Sequence, residues 1–109
     1  MFAIHDENGY AVPLEGIEMK TLVYGKEMLL VRFKMTKGAL LPSHTHPHEQ
    51  TGYLVSGRIN LYIGHECRNA GPGDSWCIES GVEHRAEVLE DSVAIEVFSP
   101  VRKEYLPAT

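Results

Sequence analysis

The sequence predicts an all-β domain, a sandwich or barrel of short antiparallel strands. Three observations predict it. Runs of alternating apolar and polar residues recur at spacings near 8–12 residues. Glycine and proline punctuate them, most plainly at Gly71-Pro72-Gly73-Asp74. No segment of about ten residues or more carries a clean helical period of ~3.6. The chain also has no internal repeat of fixed period and no low-complexity tract.

Residues 1–16 read as an N-terminal arm, irregular through residue 13. Strands are expected over Ile17 to Tyr24 and Met28 to Met35, joined by a hairpin turn at Gly25-Lys26. In the second run Leu29, Val31, Phe33 and Met35 alternate with Met28, Leu30, Arg32 and Lys34, which leaves one face wholly apolar. Lys37-Gly38 breaks the run, and Leu40-Leu41-Pro42 leads into a histidine-rich segment. Gln50 to Ser56 is expected as a strand ended by Gly57, and Arg58 to Ile63 as another, with Ile59, Leu61 and Ile63 on one face. A loop is expected over Gly64 to Gly73. Ser75 to Ile78, Glu83 to Leu89 and Ser92 to Phe98 complete the set, the last two separated by a turn at Glu90-Asp91. Ser99-Pro100 closes the final strand, and a tail runs from residue 100 to 109.

The 109 residues suffice for one domain spanning residues 1–109. A domain of this size buries roughly two-thirds of the surface its unfolded chain exposes. A net charge of -5 and a pI near 5.6 argue against general affinity for nucleic acid. No apolar run approaches the ~18 residues of a membrane span. Met1 to Val12, with His5, Asp6 and Glu7, lacks the basic-then-apolar order of a signal peptide. A cytoplasmic location is therefore expected, with Cys67 and Cys77 reduced and packed as small buried hydrophobes. His5 and His65 are expected at the surface.

The chemistry concentrates in Leu41-Pro42-Ser43-His44-Thr45-His46-Pro47-His48-Glu49-Gln50, which holds three of the six histidines. On a strand, alternate side chains point to one face. His44, His46, His48 and Gln50 then share a face, and Glu49 takes the other. Two imidazoles two residues apart can bind one cation, and a carboxylate or amide oxygen can complete the shell. Parity favours Gln50 over Glu49 as that oxygen, although Pro47 can interrupt the alternation. The competing reading is an exposed histidine-rich loop that binds metal only incidentally.

Gly38, five residues, His44-Thr45-His46, three residues, Gln50, six residues and Gly57 resembles the first motif of the cupin family. Gly73, five residues, Glu79-Ser80-Gly81, two residues and His84 resembles the second. The family usually has Glu at the position of Gln50, Pro at Glu79 and Asn at Val88. The resemblance covers roughly residues 20–100. It implies a jelly-roll barrel of six to eight antiparallel strands in two sheets. It implies one divalent transition metal (Ni, Zn, Fe or Mn) held by His44, His46, Gln50 and His84, and a homodimer. His48 lies outside the family pattern and is expected beside the ligands rather than on the ion. A neutral amide in place of Glu leaves the cation its full charge, which strengthens its Lewis acidity toward an anionic substrate and weakens its retention.

Glu96-Val97-Phe98-Ser99-Pro100-Val101-Arg102 is the second informative stretch. If Val93, Ile95 and Val97 pack outward, Glu96 and Phe98 point into the cavity. A lumenal carboxylate is then a general acid/base candidate, and Arg102 a clamp for a substrate carboxylate. The other reading is an exposed salt bridge between Glu96 and Arg102 at a strand end, with Phe98 in the core. This segment is similar to the Asp-Val-Phe-Ser-Pro-x-Arg-x-Asp-Tyr ending of the pectin-degradation (KdgF-type) cupins, which linearise 4,5-unsaturated uronates. The resemblance implies that Glu96 and Arg102 are catalytic and that Phe98 and Arg102 bind substrate. Glu96 is one methylene longer than the family's Asp.

The expected function is thus metal-dependent isomerisation or ring opening of a small anionic sugar-derived or keto acid, with unsaturated uronates as the leading substrate. The alternatives are an Fe-dependent dioxygenase or polyketide-type cyclase, and a non-enzymatic metabolite- or sugar-binding module.

Overall fold

A computed structural model describes residues 1–107. Among the described residues there are eight strands, all paired antiparallel: β1 (Ala11–Leu14), β2 (Ile17–Tyr24), β3 (Leu29–Met35), β4 (Leu40–His44), β5 (Glu49–Ile63), β6 (Glu66–Ala70), β7 (Ser75–Ile78) and β8 (His84–Ser99). A single turn of 3-10 helix follows at Lys103–Tyr105. Residues 108 and 109 of the expected tail lie outside the described residues.

The two long strands organise everything else. The first half of β5, Glu49 to Ser56, pairs with β7 on one side and with Val93 to Ser99 of β8 on the other. Its second half, from Arg58, pairs with β6 and with His84 to Glu90 of β8. The later half of β8 also pairs with β3, and its early half with β4. Two runs therefore share the bent strands: β1-β2-β3-β8-β5-β7 and β4-β8-β5-β6. Their inward side chains meet in one cluster. Ile17, Leu29, Val31 and Leu54 come from the first run, and Ile59, Leu61, Ala86 and Val88 from the second. Burying such side chains is the main favourable term in folding, at ~1.5–3 kcal/mol for each fully buried aliphatic or Phe side chain. The domain is all-β, as the alternation predicts.

Gly57 and Glu90-Asp91 are expected as strand ends, and they are bends within continuous strands instead. All three register shifts in the β5–β8 pairing, between residues 54 and 59 of β5, fall there. Gly57 has φ +94°, and a Cβ on it would lie 2.1 Å from Ser92 Oγ and 2.5 Å from the Asp91 carbonyl oxygen. Buried Ser92 accepts a hydrogen bond from the Arg58 backbone N–H (3.1 Å) and donates to the Glu90 carbonyl (2.7 Å). The two bends are thereby locked against each other, which is how bulges re-aim a strand without ending it.

Other elements correct the sequence reading. The arm is not irregular throughout, because Ala11–Leu14 adds an exposed strand to the edge of β2. The expected loop Gly64 to Gly73 contains β6, which pairs with the second half of β5. Only Ala70 of β6 is buried, so the strand carries no apolar pattern to read. Met28 is exposed and belongs to the turn, whose closing bond runs from the Gly25 N–H to the Met28 carbonyl (2.9 Å). Cys67 and Cys77 are both free thiols but exposed, not packed. On β7 the inward positions are Trp76 and Ile78, so parity turns Cys77 out.

Candidate metal centre

Three histidines converge where β4, β8 and the connection after β4 meet. His44 ends β4 and His84 begins β8, and the two are direct partners across that strand pair. His46 lies in the connection, whose path is fixed by hydrogen bonds from the Gly81 N–H to the His46 carbonyl (2.9 Å) and from Ser80 Oγ to the Pro47 carbonyl (2.6 Å). One ring nitrogen from each of His44, His46 and His84 lies within 4.8 Å of the others. The segment His44 to Gln50 is not one strand: it bends at Pro47-His48 before β5 begins. The histidines are brought together by that bend as well as by alternation.

Each ring is oriented by the main chain. His44 Nδ1 meets the Pro42 carbonyl, His46 Nδ1 the His48 carbonyl and His84 Nδ1 the Val82 carbonyl, each at 2.9 Å. A carbonyl only accepts, so each Nδ1 carries the proton and each Nε2 presents a lone pair. Burial, the largest influence, holds the pKa of His46 and His84 below the ordinary value, which keeps both rings neutral. His84 Nε2 is buried without a hydrogen-bond partner.

Gln50 turns an amide oxygen toward the same cluster. Its Nε2 donates to Glu96 Oε1 (2.8 Å), which fixes the amide so that Oε1 faces His46 Nε2 at 3.0 Å. Two acceptors then face each other with no proton between them, beside the orphaned Nε2 of His84. A divalent cation satisfies all of these lone pairs at once. A donor set of three imidazoles and an amide oxygen suits a transition metal. Glu49 is exposed and turned away from this cluster. His48 is half-buried beside it, its ring 5.6 Å from that of His46, with Nδ1 buried and unpartnered.

The chemistry-bearing end of β8 faces the same pocket. Glu96 is 9% exposed and lines the pocket together with His44, Gln50, His84, Phe98 and Arg102. Val93, Ile95 and Val97 are only half-buried on the other face. Burial pushes the Glu96 carboxyl above its ordinary pKa, opposed by hydrogen bonds from Gln50 and Trp76 and by the charge of Arg102. An exposed Glu96–Arg102 salt bridge does not form among the described residues. Arg102 Nε instead bonds Glu104 Oε1 at 2.8 Å. Its guanidinium lies 4.1 Å from the centre of the Tyr105 ring and 5.1 Å from that of Phe98. Phe98 is fully buried, edge-on to His46 and Tyr105.

Sequence reasoning missed Trp76, Gly52, Glu104 and Tyr105 as parts of this site. Glu104 and Tyr105 sit two and three residues past Arg102, and the turn of 3-10 helix folds them back onto it. Trp76 could have been found by parity, since the short strand β7 points it the same way as buried Ile78.

A jelly-roll-like β scaffold with three convergent histidines defines a class, and comparison with known proteins agrees. Residues 31–99 match the cupin domain, and the chain belongs to the cupin family. The particular relatives are narrower. The chain is 30% identical over 107 residues to the pectin degradation protein KdgF of Dickeya dadantii (strain 3937), covering 96% of this chain and 97% of that protein. It is similar to the structure of KdgF from Halomonas sp. (TM-score 0.91, 32% identity, 97% and 98% of the two chains). An RmlC-like cupin from Shewanella frigidimarina NCIMB 400 aligns with the same TM-score of 0.91 at 25% identity, over 96% and 95% of the two chains.

Proposed function

We propose that this protein is a metal-dependent isomerase that opens the ring of 4,5-unsaturated uronates. The observation that carries the reading is the Glu96 carboxylate. It is buried in the histidine-lined pocket and hydrogen-bonded to the amide whose oxygen faces His46. The similarity to KdgF proteins over nearly the whole chain supports the substrate class.

His44, His46, Gln50 and His84 would hold one divalent transition metal (Ni, Zn, Fe or Mn). When bound, it supplies Lewis acidity toward a substrate oxygen, undiminished by any anionic ligand. Arg102 receives the substrate carboxylate. Its Nε is engaged by Glu104, and the terminal nitrogens are left for the substrate. The rings of Phe98 and Tyr105 lie against the guanidinium. Glu96 takes the proton of the anomeric hydroxyl as the bond between C1 and the ring oxygen breaks. Electrons from that bond pass to the ring oxygen, and C4 gains a proton as C5 becomes a ketone. The proton lost from the hydroxyl balances the one gained at C4, so no co-reactant is consumed. Positioned acid/base groups contribute typically ~10²–10⁴-fold to such steps.

Metal-loaded protein is expected to remove the conjugated enol-ether absorbance of an unsaturated uronate. No loss of absorbance, with metal confirmed bound, overturns the reading.

We further propose a homodimer. The outward face of β5 and β8 carries Tyr53 and Val55, 50% and 47% exposed, beside the half-buried Val93, Ile95 and Val97. Light scattering that returns a monomer mass at micromolar concentration sinks this part of the reading.

A further inference from the structure

Trp76, Gly52 and Glu96 stand in one row across three adjacent strands. Gly52 of β5 is the direct partner of Trp76 on β7 and, on its other side, of Glu96 on β8. Neighbouring strands lie about 4.8 Å apart, so Trp76 and Glu96 are separated by about 10 Å of sheet. The indole spans that gap by lying over the glycine. A Cβ on Gly52 would sit 2.2 Å from both Cε2 and Nε1 of Trp76. No side chain larger than hydrogen fits there while the indole keeps its place. The indole N–H then reaches Glu96 Oε1 at 3.1 Å.

That oxygen is the one that also accepts the Gln50 amide at 2.8 Å. Both donors therefore converge on Oε1, and among the described residues none donates to Oε2. Two fixed donors on one oxygen lock the carboxylate plane and leave the second oxygen free of protein donors among the described residues.

We propose that Trp76 is a positioning residue for Glu96: its indole N–H, admitted by Gly52, pins one carboxylate oxygen so that the other alone exchanges protons with the substrate. This rests on the acid/base role of Glu96 given above. Its physical content, a hydrogen bond that selects between two chemically equivalent oxygens, can be read without turnover.

Trp76 is the sole tryptophan, so the protein has a single indole N–H resonance that needs no assignment. In 15N-labelled native protein that proton is expected downfield and slow to exchange. In Glu96→Leu it moves upfield and exchanges faster. An unmoved resonance in a folded Glu96→Leu protein overturns the proposal. On the uronate, Trp76→Phe is expected to lower kcat about tenfold or more, as loss of one hydrogen bond to a charged group does, with KM and metal content within twofold of native. Gly52→Ala gives the same loss by displacing the indole, and in a Trp76→Leu background it costs nothing further. A Trp76→Phe enzyme with native kcat, or losses that multiply in the double variant, overturns the positioning role. A native protein that never turns over the uronate overturns the substrate assignment instead, and the indole resonance still decides whether Glu96 is held.

Discussion

Gln50 bonds to Glu96 through its amide nitrogen and faces His46 with its amide oxygen, at 2.8 Å and 3.0 Å. This gives a reason for an amide where the cupin family usually has a carboxylate. Two carboxylates at 2.8 Å repel unless they share a proton. Replacing Gln50 with Glu is therefore expected to keep or tighten metal binding while Glu96 becomes protonated and loses its function as a base. Turnover should fall by about 100-fold, the lower end of what an acid/base group contributes. Elemental analysis alongside the uronate assay checks it, and a Gln50→Glu protein with native kcat contradicts it.

Removal of one ring should empty the site. His46→Ala is expected to lose metal on dialysis, and His84→Ala likewise, because each leaves only two imidazoles and one amide. Glu49→Ala is expected to retain it, since Glu49 is exposed on the opposite face of β5. Metal loss from Glu49→Ala, measured as moles of metal per mole of protein, would falsify the assignment of the oxygen ligand.

Arg102 is held by Glu104 at Nε and stacked on Tyr105. A lysine has neither the planar fork nor the stacking face. Arg102→Lys is expected to raise KM about tenfold, equivalent to ~1.4 kcal/mol, with a smaller effect on kcat. Equal losses in kcat and kcat/KM would show that the guanidinium acts only in the transition state.

The N-terminal arm is fastened by charge. Glu7 bonds Lys34 at 2.5 Å and lies 3.5 Å from Arg32. The Lys34 hydrogen bond, against a desolvation penalty, brings the Glu7 carboxyl down to about 2. A depressed folded pKa means that the contact stabilises fully above the ordinary value of 4.5 and is lost as pH falls from there toward 2. Protection of the β1 amides, corrected for intrinsic exchange, should decline over that window in the native protein and show no such decline in Glu7→Gln. Identical pH profiles for the two proteins exclude the ion pair as the fastening.

Gly57 is a second glycine-dependent approach of side chain to main chain, beside that of Gly52 and the Trp76 indole. Gly57→Ala meets Ser92 and demands φ +94° of an L-residue. A loss of at least ~1–2 kcal/mol is expected, visible as a lower urea midpoint at unchanged slope. A native midpoint would mean that the bend can relax at no cost.

The strands were legible where one face is buried and the other is not. Leu29, Val31, Phe33 and Met35 alternate without exception, and all four are buried. β6 was not legible, because a strand at the rim with one buried residue has no reason to alternate. Gly57 and Glu90-Asp91 look like strand ends because bends and ends need the same residues: one that tolerates positive φ, and short polar side chains. The histidines and Glu96 could be singled out by residue type and spacing. Parity with Ile78 turns Trp76 inward but does not tell a core filler from a residue that holds a carboxylate, and Tyr105, in a tail with no alternation, gives no local signal at all.

The three histidine rings take their orientation from the carbonyls of Pro42, His48 and Val82, not from acidic side chains. Every residue type carries a backbone carbonyl, so ordinary substitutions at these three positions leave the aim of the rings intact. Drift among the neighbouring side chains is therefore nearly silent for metal capture, and damage enters through the path of the backbone. The pocket is spared the anionic partners that side-chain anchoring would bring. On the proposed function, new substrates can be explored at the Glu96–Arg102 end while the histidine end stays fixed, so descendants of this scaffold can diverge in reaction without rebuilding it.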